Sequence, residues 1–429
     1  MSLNTQAGAF LASPAAVDTL GRLYGRDAET LAVQTARYAD LAARHAALFG
    51  EKEGLRFVSA PGRTEVAGNH TDHNGGCVLA AAINLDTVAA VTPSGTGVVT
   101  LYSAGYEKPF VVDLADLEPK KSEYETTDGL IRGVAARMKS LGYAVGGFDA
   151  VVTSTVFKGS GLSSSAAFEV LVCAVFDSLF NGFTVDAQLR AQIGQYAENV
   201  FFGKPCGLMD QMASSVGGLV AIDFGPKEPV VTAMKFDFDA AGYVPAVVSV
   251  GGEHGNLTHE YAAIPAEMKS VAEALGGRIL RDVDPEEMER RIPALKGRVK
   301  DRAILRALHF YDENRRVGKA AAALSAGDIR TFFDMLVASG ESSWKLLQNL
   351  YVAGSDNQEM PLALEFSRRM LEGRGAWRIH GGGFAGTILA FIPKDTVAEY
   401  TAAMNAVFGE GAVTPLMIRA DGAVELKLN

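Results

Sequence analysis

The sequence predicts a protein of two domains that contain both helices and strands. Its 429 residues exceed what one ordinary core organises and suit two domains of about 200 residues each. A helical apolar pattern near the N-terminus gives way to β-branched runs separated by glycine and proline, and both patterns recur later in the chain. We therefore expect a ligand-binding cleft between two lobes.

The first half begins with a helical pattern and continues with strands. Apolar side chains at helical spacing predict helices over 17–49, with a break at Gly25. Between 57 and 113, the β-branched runs 88–92 and 98–102 flank the sequence Pro-Ser-Gly-Thr-Gly, which predicts a hairpin. Strands therefore dominate this part of the chain.

The remaining elements alternate along the chain. The pattern predicts helices at 128–141, 163–179, 185–202 and at several places between 265 and 372, and strands at 148–155, 219–223, 230–236, 246–250 and 387–392. The sequence Gly225-Pro226 separates the two halves, and the domain boundary is expected near 225–245.

Composition and charge exclude several classes of protein. The net charge of -10 is spread along a chain that is 48% hydrophobic, and basic residues cluster only as isolated doublets, so we expect no nucleic-acid partner. The most apolar stretch, 166–180, contains Glu169 and Asp177 and is too short to span a bilayer. Residues 1–10 lack the basic start of a signal peptide, so we expect no membrane association and a cytoplasmic location.

A glycine- and serine-rich segment lies between the strand predicted at 148–155 and the helix predicted at 163–179. The candidate phosphate-binding residues are Gly159, Ser160, Gly161, Leu162, Ser163, Ser164 and Ser165. Glycine lets backbone approach an anion, the helix N-terminus offers unpaired N–H groups, and the serines add hydroxyl donors. The alternative is a simple connection whose serines cap the helix. Three consecutive serines favour phosphate.

A second polar segment covers residues 60–76 and contains Arg63, Asn69, His70, Asp72 and a second histidine. Such groups suit a polyhydroxy ligand, because each hydroxyl requires a donor and an acceptor. A metal site at His-Thr-Asp-His and a plain solvated loop are the alternatives.

Two further segments carry weaker signals. Asp210 lies in the sequence Cys-Gly-Leu-Met-Asp-Gln after a helix break at 203–205, where it is either a capping or first-turn charge or a catalytic carboxylate. The sequence His-Gly-Gly-Gly-Phe-Ala-Gly at 380–386 precedes a strand and by itself indicates only a tight turn.

In this order and spacing the four segments resemble the GHMP kinase superfamily, and among its branches the galactokinases, from about residue 57 to 391. The resemblance implies catalytic roles for Asp210 as the base and Arg63 as the transition-state arginine. It implies sugar binding by Asn69, His70, Thr71, Asp72 and Tyr261, nucleotide binding by the loop that ends at Ser165, and magnesium binding by Ser165 and Glu198.

The resemblance also implies the architecture and the ligands. The expected fold is α+β and two-lobed, with a ribosomal-S5-like N-terminal domain at 1–235 that binds sugar and ATP and an antiparallel-sheet C-terminal domain at 236–429. The expected ligands are a small sugar, ATP and Mg²⁺, and the expected reaction is phosphorylation of D-galactose at its anomeric hydroxyl. We expect a monomer.

Several residues depart from the galactokinase pattern, and most of them lie in the sugar segment. Glu65 stands where the family usually has Asn, Asn69 where it has Glu, and His73 where it has Tyr. Ile264-Pro265 replaces a pair of arginines after Tyr261, and in the glycine-rich segment His380 replaces Thr and Ala385 replaces Gly. Because Asn69 removes a carboxylate, a kinase for a C6-modified sugar such as galacturonate is an alternative. A sugar sensor without catalysis is another, disfavoured by the intact Arg63 and Asp210.

Overall fold

The computed structural model describes residues 3–156, 161–251, 257–384 and 386–427. Within these ranges the α-helices are α1 (Leu3–Leu11), α2 (Pro14–Tyr24), α3 (Ala28–Phe49), α4 (Thr127–Ser140), α5 (Ser164–Phe180), α6 (Ala187–Tyr196), α7 (Met209–Val216), α8 (Thr258–Ala274), α9 (Pro285–Leu295), α10 (Asp301–Ser325), α11 (Ile329–Ser342), α12 (Glu359–Leu371) and α13 (Val397–Phe408). The strands are β1 (Arg56–Ala67), β2 (Cys77–Pro93), β3 (Val98–Ser103), β4 (Phe110–Asp113), β5 (Phe148–Ser154), β6 (Leu219–Asp223), β7 (Val230–Met234), β8 (Tyr243–Gly251), β9 (Ala376–Ile379), β10 (Gly386–Pro393), β11 (Val413–Pro415) and β12 (Val424–Lys427).

The larger sheet has the strand order β12-β1-β2-β5-β3-β4, with β6 paired to β2 and β7 paired to β6. Both of its faces are covered. On β2, Ala89 and Val91 pack with α4 and α5, whereas Val88 and Ala90 pack with the helices α1–α3. Because successive side chains of a strand point to opposite faces, a strand covered on both sides is apolar throughout.

The hairpin predicted between β2 and β3 is wrong. β5 lies between them, antiparallel to β2 and parallel to β3. The glycine-rich turn after Pro93 therefore joins two strands of one sheet that are not neighbours. Local turn chemistry indicated that the chain turns here, but pairing of β2 with the distant β5 determines which strands are adjacent.

The smaller sheet is antiparallel throughout, in the order β11-β8-β10-β9. Helices α12 and α13 pack against it through a core that includes Met360, Leu364, Tyr400 and Met404. Two sheets with helices on their faces confirm the α+β class. The sequence analysis predicted no element after the strand at 387–392, whereas the structure has helix α13 and the strands β11 and β12 there.

The predicted division at 235/236 falls between β7, which belongs to the larger sheet, and β8, which begins the smaller one. The chain end returns across this line, because β12 pairs with β1 through Ser59–Val424 and Phe57–Leu426. A further core joins β2 and β10 with α10 and α11 and so connects the two sheets. The two-domain division itself stays a prediction. Within the described ranges, no helix is long and apolar enough to cross a membrane.

Candidate active site

A cavity of about 1280 Å³ lies between segments of both predicted domains. Its wall includes Arg63, Glu65, His70, Asp72, Asp210, Tyr261, Gly381 and Gly382. Three of the four segments singled out in the sequence therefore meet around one cavity together with Tyr261. The phosphate-loop segment adjoins it through contacts with Arg63 and Asp210.

Strand β1 carries Arg63 and Glu65 to the cavity. The register between β1 and β2 shifts once between Pro61 and Arg63 and again between Glu65 and Ala67. Such irregularities redirect side chains and often occur beside active sites. Because Arg63 and Glu65 are two residues apart, they point to the same face of the strand.

Arg63 and Asp210 form a bidentate ion pair. Arg63 Nε lies 2.7 Å from Asp210 Oδ1, and Nη2 lies 2.7 Å from Oδ2. Arg63 Nη1 also donates to the carbonyl of Gly161, and the Ser163 hydroxyl donates to Asp210 Oδ2. Two fixed parallel hydrogen bonds define both the position and the plane of the carboxylate.

The same contacts determine the charge of Asp210. Burial raises its pKa, but the charge of Arg63 and hydrogen bonds from Arg63 and Ser163 outweigh burial and hold the pKa below its usual value. Asp210 lies in the first turn of α7, where the helix dipole also favours an anion. The carboxylate is therefore ionised at neutral pH, as a proton acceptor requires.

The described part of the glycine- and serine-rich segment begins at Gly161, and the predicted phosphate ligands Gly159 and Ser160 lie outside the described residues. Gly161 has a φ of 69°, and Ser163, the residue before α5, has a φ of 57°. The Leu162 side chain is buried in the core, whereas its carbonyl accepts a hydrogen bond from the Arg63 backbone at 3.1 Å. Ser164 and Ser165 are partly buried and begin α5.

Glu198, predicted to bind magnesium, lies in a short π-helical turn at Ala197–Phe202 and is buried. Gln211 Nε2 donates to Glu198 at 3.0 Å and to Glu169 at 2.9 Å. The second oxygen of Glu169 and the side-chain oxygen of Gln211 are buried and have no hydrogen-bond partner among the residues that the structure describes. Burial and the nearby Glu198 charge raise the pKa of Glu169.

Ser165 and Glu198 carry the kind of oxygen donors that a hard cation prefers, although no hydrogen bond joins the two side chains within the described residues. Mg²⁺ is typically held by one or two protein groups together with phosphates. Oxygen atoms of Glu169 and Gln211, the two residues next to Glu198 in this cluster, lack partners within the described part of the chain. Among the described residues, no group of three or more His, Cys, Asp or Glu side chains has the geometry of a metal site. The structure therefore gives no support to the alternative metal site at His-Thr-Asp-His.

His70 and Asp72 reach the cavity from the loop after β1. His70 Nε2 donates to the carbonyl of Gly382 at 2.8 Å, and burial lowers the His70 pKa to about 4. The ring is therefore neutral at pH 7, and Nδ1 remains an acceptor. Asp72 packs against Gly207, where a Cβ atom would collide with the carboxylate.

Asn69 and Thr71, also predicted to bind substrate, lie behind the cavity wall. The Asn69 side chain is fully buried, and its amide nitrogen donates to Glu65 Oε1 at 2.9 Å and to the Gly381 carbonyl at 2.8 Å. The Thr71 hydroxyl donates to the carbonyls of Gly68 and Cys77. The structure therefore brings His70, Asp72 and Tyr261 to the cavity, but it does not bring Asn69 or Thr71 there.

The glycine-rich fourth segment does more than turn the chain. Its carbonyls accept hydrogen bonds from Asn69, from His70 and, at Gly383, from the Tyr261 hydroxyl at 2.9 Å. A Cβ atom on Gly382 would lie 2.6 Å from the Tyr261 ring. Small residues here let the segment approach the sugar loop and Tyr261, which sequence spacing could not indicate.

Glu65 and His380 are site residues that the sequence prediction did not assign. Arg378 Nη2 lies 2.9 Å from Glu65 Oε1, and both side chains are buried. Burial raises the pKa of Glu65, and the Arg378 charge opposes this. His380 Nε2 accepts from the Glu65 backbone at 3.4 Å and bonds the Thr64 hydroxyl at 3.1 Å. The only signal in the sequence was that both residues depart from the family pattern.

Comparisons with known proteins identify the family of this chain. The profile of the galactokinase galactose-binding signature matches residues 43–93, and the profile of the GHMP kinase N-terminal domain matches residues 129–218. The chain is 30% identical over 348 residues to a galactokinase of Glaesserella parasuis serovar 5. The aligned region covers 79% of this chain and 86% of that protein.

Solved structures show the same fold. The crystal structure of Lactococcus lactis galactokinase complexed with galactose superposes with a TM-score of 0.79 at 25% identity and covers 90% of this chain and 98% of that one. The mevalonate kinase of Methanococcus jannaschii superposes with a TM-score of 0.59 at 12% identity, over 86% of this chain and 96% of that one. The fold is therefore that of the GHMP kinases, and the chain belongs to the galactokinase family.

Proposed function

We propose that this protein transfers the γ-phosphoryl group of ATP to the anomeric hydroxyl of D-galactose, giving galactose 1-phosphate and ADP. The observation that carries the proposal is the Arg63–Asp210 pair. It borders the cavity that His70, Asp72 and Tyr261 line, and it also contacts Gly161 and Ser163 of the candidate phosphate loop. One ionised carboxylate therefore lies where a sugar hydroxyl and a phosphate would meet.

In this proposal Asp210 accepts the proton of the anomeric hydroxyl, and the pair with Arg63 keeps the carboxylate ionised until the sugar binds. Arg63 then stabilises the negative charge on the transferring group. Phosphoryl transfer depends mainly on positioning and charge neutralisation, and the bidentate pair provides both. The sensor alternative would require no such pair.

His70, Asp72 and Tyr261 orient the sugar ring. Neutral His70 accepts a hydroxyl hydrogen at Nδ1, because Nε2 is already bonded to Gly382. Residues 1–235 supply Arg63, His70, Asp72 and Asp210, and residues 236–429 supply Tyr261 and the glycine-rich wall. Substrate would therefore bind between the two proposed domains.

The backbone and hydroxyl groups of residues 159–165 bind the ATP phosphates in this proposal, at the start of α5 where the helix dipole favours anions. Ser165 and Glu198 would hold Mg²⁺, which neutralises phosphate charge when bound. Gln211 positions the Glu198 carboxylate through its 3.0 Å hydrogen bond.

The direct test is product identification. Purified protein is incubated with D-galactose, ATP and Mg²⁺, ADP is measured by a coupled assay, and the position of the phosphate is determined by ³¹P and ¹³C NMR. We expect galactose 1-phosphate as the product. Sugar-independent ADP release, or phosphate on another hydroxyl, would contradict the proposal. Binding of ATP and galactose without turnover would favour a sensor.

A further inference from the structure

Glu65 presents a carboxylate to the cavity with one oxygen held and the other free. Oε1 accepts hydrogen bonds from Arg378 Nη2 and from Asn69 Nδ2, each at 2.9 Å. Oε2 bonds to none of the residues that the structure describes, and it is not among the fully buried polar atoms without partners. Because Glu65 lines the cavity, Oε2 is the atom available to a ligand.

Asn69, in contrast, has no remaining hydrogen-bonding capacity for a sugar. Its two amide hydrogens are used by Glu65 and the Gly381 carbonyl. Its oxygen accepts from Asn349 Nδ2 at 2.8 Å and from the Ser343 hydroxyl at 3.3 Å. An amide has two donors and two acceptor sites, so all four are occupied by protein.

A carboxylate buried at this depth is energetically costly even when it is paired with an arginine. Glu65 is 3% exposed and Arg378 is fully buried, and removing such charges from water typically offsets the attraction between them. Arg378 also donates to the Glu65 carbonyl at 3.2 Å, which fixes the strand and the carboxylate together. The result is a rigidly held hydrogen-bond acceptor, and a buried site built to bond a substrate hydroxyl rejects the analogue that lacks it.

We propose that Glu65 is a sugar-specificity residue whose Oε2 accepts a hydrogen bond from a ring or C6 hydroxyl of the hexose, while Asn69 positions Glu65 without touching the sugar. The inference rests on the proposed function. The two departures from the family pattern are thus one exchange: Glu65 stands for Asn, Asn69 stands for Glu, and the two side chains are hydrogen-bonded to each other. The carboxylate has changed its position in the sequence but is still present at the cavity wall.

The first test pairs a Glu65 variant with sugars that lack single hydroxyl groups. The kcat/KM values of wild type and Glu65→Gln are measured with galactose and its 2-, 3-, 4- and 6-deoxy analogues. With galactose, we expect Glu65→Gln to lose about ten- to a hundredfold, the scale of one hydrogen bond to a charged group. With the analogue that lacks the recognised hydroxyl, the kcat/KM of Glu65→Gln should be about the same as that of wild type, because the hydrogen bond is already absent.

A structural role alone gives a different result. Glu65→Gln would then lower kcat/KM by the same factor for galactose and for every analogue, and that outcome overturns the proposal, as does unchanged activity with galactose. Glu372→Gln is the control, because this exposed glutamate pairs with Arg368 outside the cavity. If wild type does not phosphorylate galactose, the proposed function fails first, and the inference fails with it.

The second test reverses the exchange. Asn69→Glu puts a second carboxylate against Glu65, and Glu65→Asn leaves Arg378 buried without its counter-charge, so each single variant should lose activity and thermal stability. The double variant Glu65→Asn/Asn69→Glu has one carboxylate and one amide again, and we expect at least about tenfold higher kcat/KM than in either single variant. Losses that simply add would overturn the proposal.

Discussion

The two sides of the cavity are held in different ways. On the phosphate side, Arg63 and Asp210 contact each other directly, and the residues match the galactokinase pattern. On the sugar side, Glu65, Asn69 and His380 all depart from the pattern, yet each is hydrogen-bonded to residues around it. The difference teaches that the proposed reacting centre rests on one direct ion pair, whereas the proposed sugar side rests on a network of hydrogen bonds between several segments.

The largest effect is expected from Asp210→Asn. The amide has nearly the same shape but cannot accept the proton, so turnover should fall by at least ~10²-fold while ATP and galactose binding persist. Coupled ADP release and calorimetry measure the two quantities. Asp312→Asn, which changes a partly exposed aspartate on α10 away from the cavity, should behave as wild type. Wild-type turnover in Asp210→Asn would remove this residue from the mechanism.

Next in size is the pair Ser165→Ala with Glu198→Gln. If these oxygen atoms hold Mg²⁺, the magnesium concentration required for half-maximal rate should rise, and ATP binding should weaken much more than galactose binding. A magnesium titration at fixed ATP measures this. Unchanged magnesium dependence would show that these two positions do not hold the metal.

A smaller effect, confined to the sugar, is expected from Gly382→Ala. The new Cβ would lie 2.6 Å from the Tyr261 ring and displace it, so the KM for galactose should rise about tenfold with little change in the KM for ATP. The matched control is Gly318→Ala on α10, where a Cβ atom meets nothing within 4 Å. Equal changes in both KM values would contradict the separation of the two sides.

The smallest effect concerns pH. The pKa of His70 is lowered to about 4 in the folded protein, whereas an unfolded histidine titrates near 6.5. Between these values the unfolded chain binds the extra proton, so the free energy of unfolding falls as pH falls from about 6.5 towards 4. His70→Asn removes this contribution and tolerates the left-handed backbone at φ 57°. Urea unfolding at pH 7 and pH 5 should show a smaller decrease in the variant, and equal decreases would contradict the neutral, buried ring.

Sequence reasoning predicted the strand and the helix on either side of the glycine- and serine-rich segment, because those signals are local. The segment from Gly161 to Ser165 follows β5 and includes the first residues of α5, and Arg63 contacts Asp210, 147 positions away in the chain. The side of the cavity that carries Glu65 and His70 also depends on contacts between residues far apart in the chain, such as Asn69 and Gly381, 312 positions apart. Spacing cannot reveal such contacts, and for the same reason the hairpin prediction missed the insertion of β5. Asn69 lacks the carboxylate that the family usually has at this position, but Glu65, four positions earlier, carries one and is hydrogen-bonded to Asn69.

The central claim is that Glu65 presents a carboxylate to the proposed sugar site, so that a neutral hexose is preferred to an acidic one. The most direct measurement is the ratio of kcat/KM for D-galactose to that for D-galacturonate in wild type and in Asn69→Glu. Like charges at a desolvated site cost several kcal/mol, so wild type should favour galactose by at least about 10²-fold. Preference for galacturonate in wild type, abolished selectively by Asn69→Glu, would contradict the account and establish a kinase for a C6 acid.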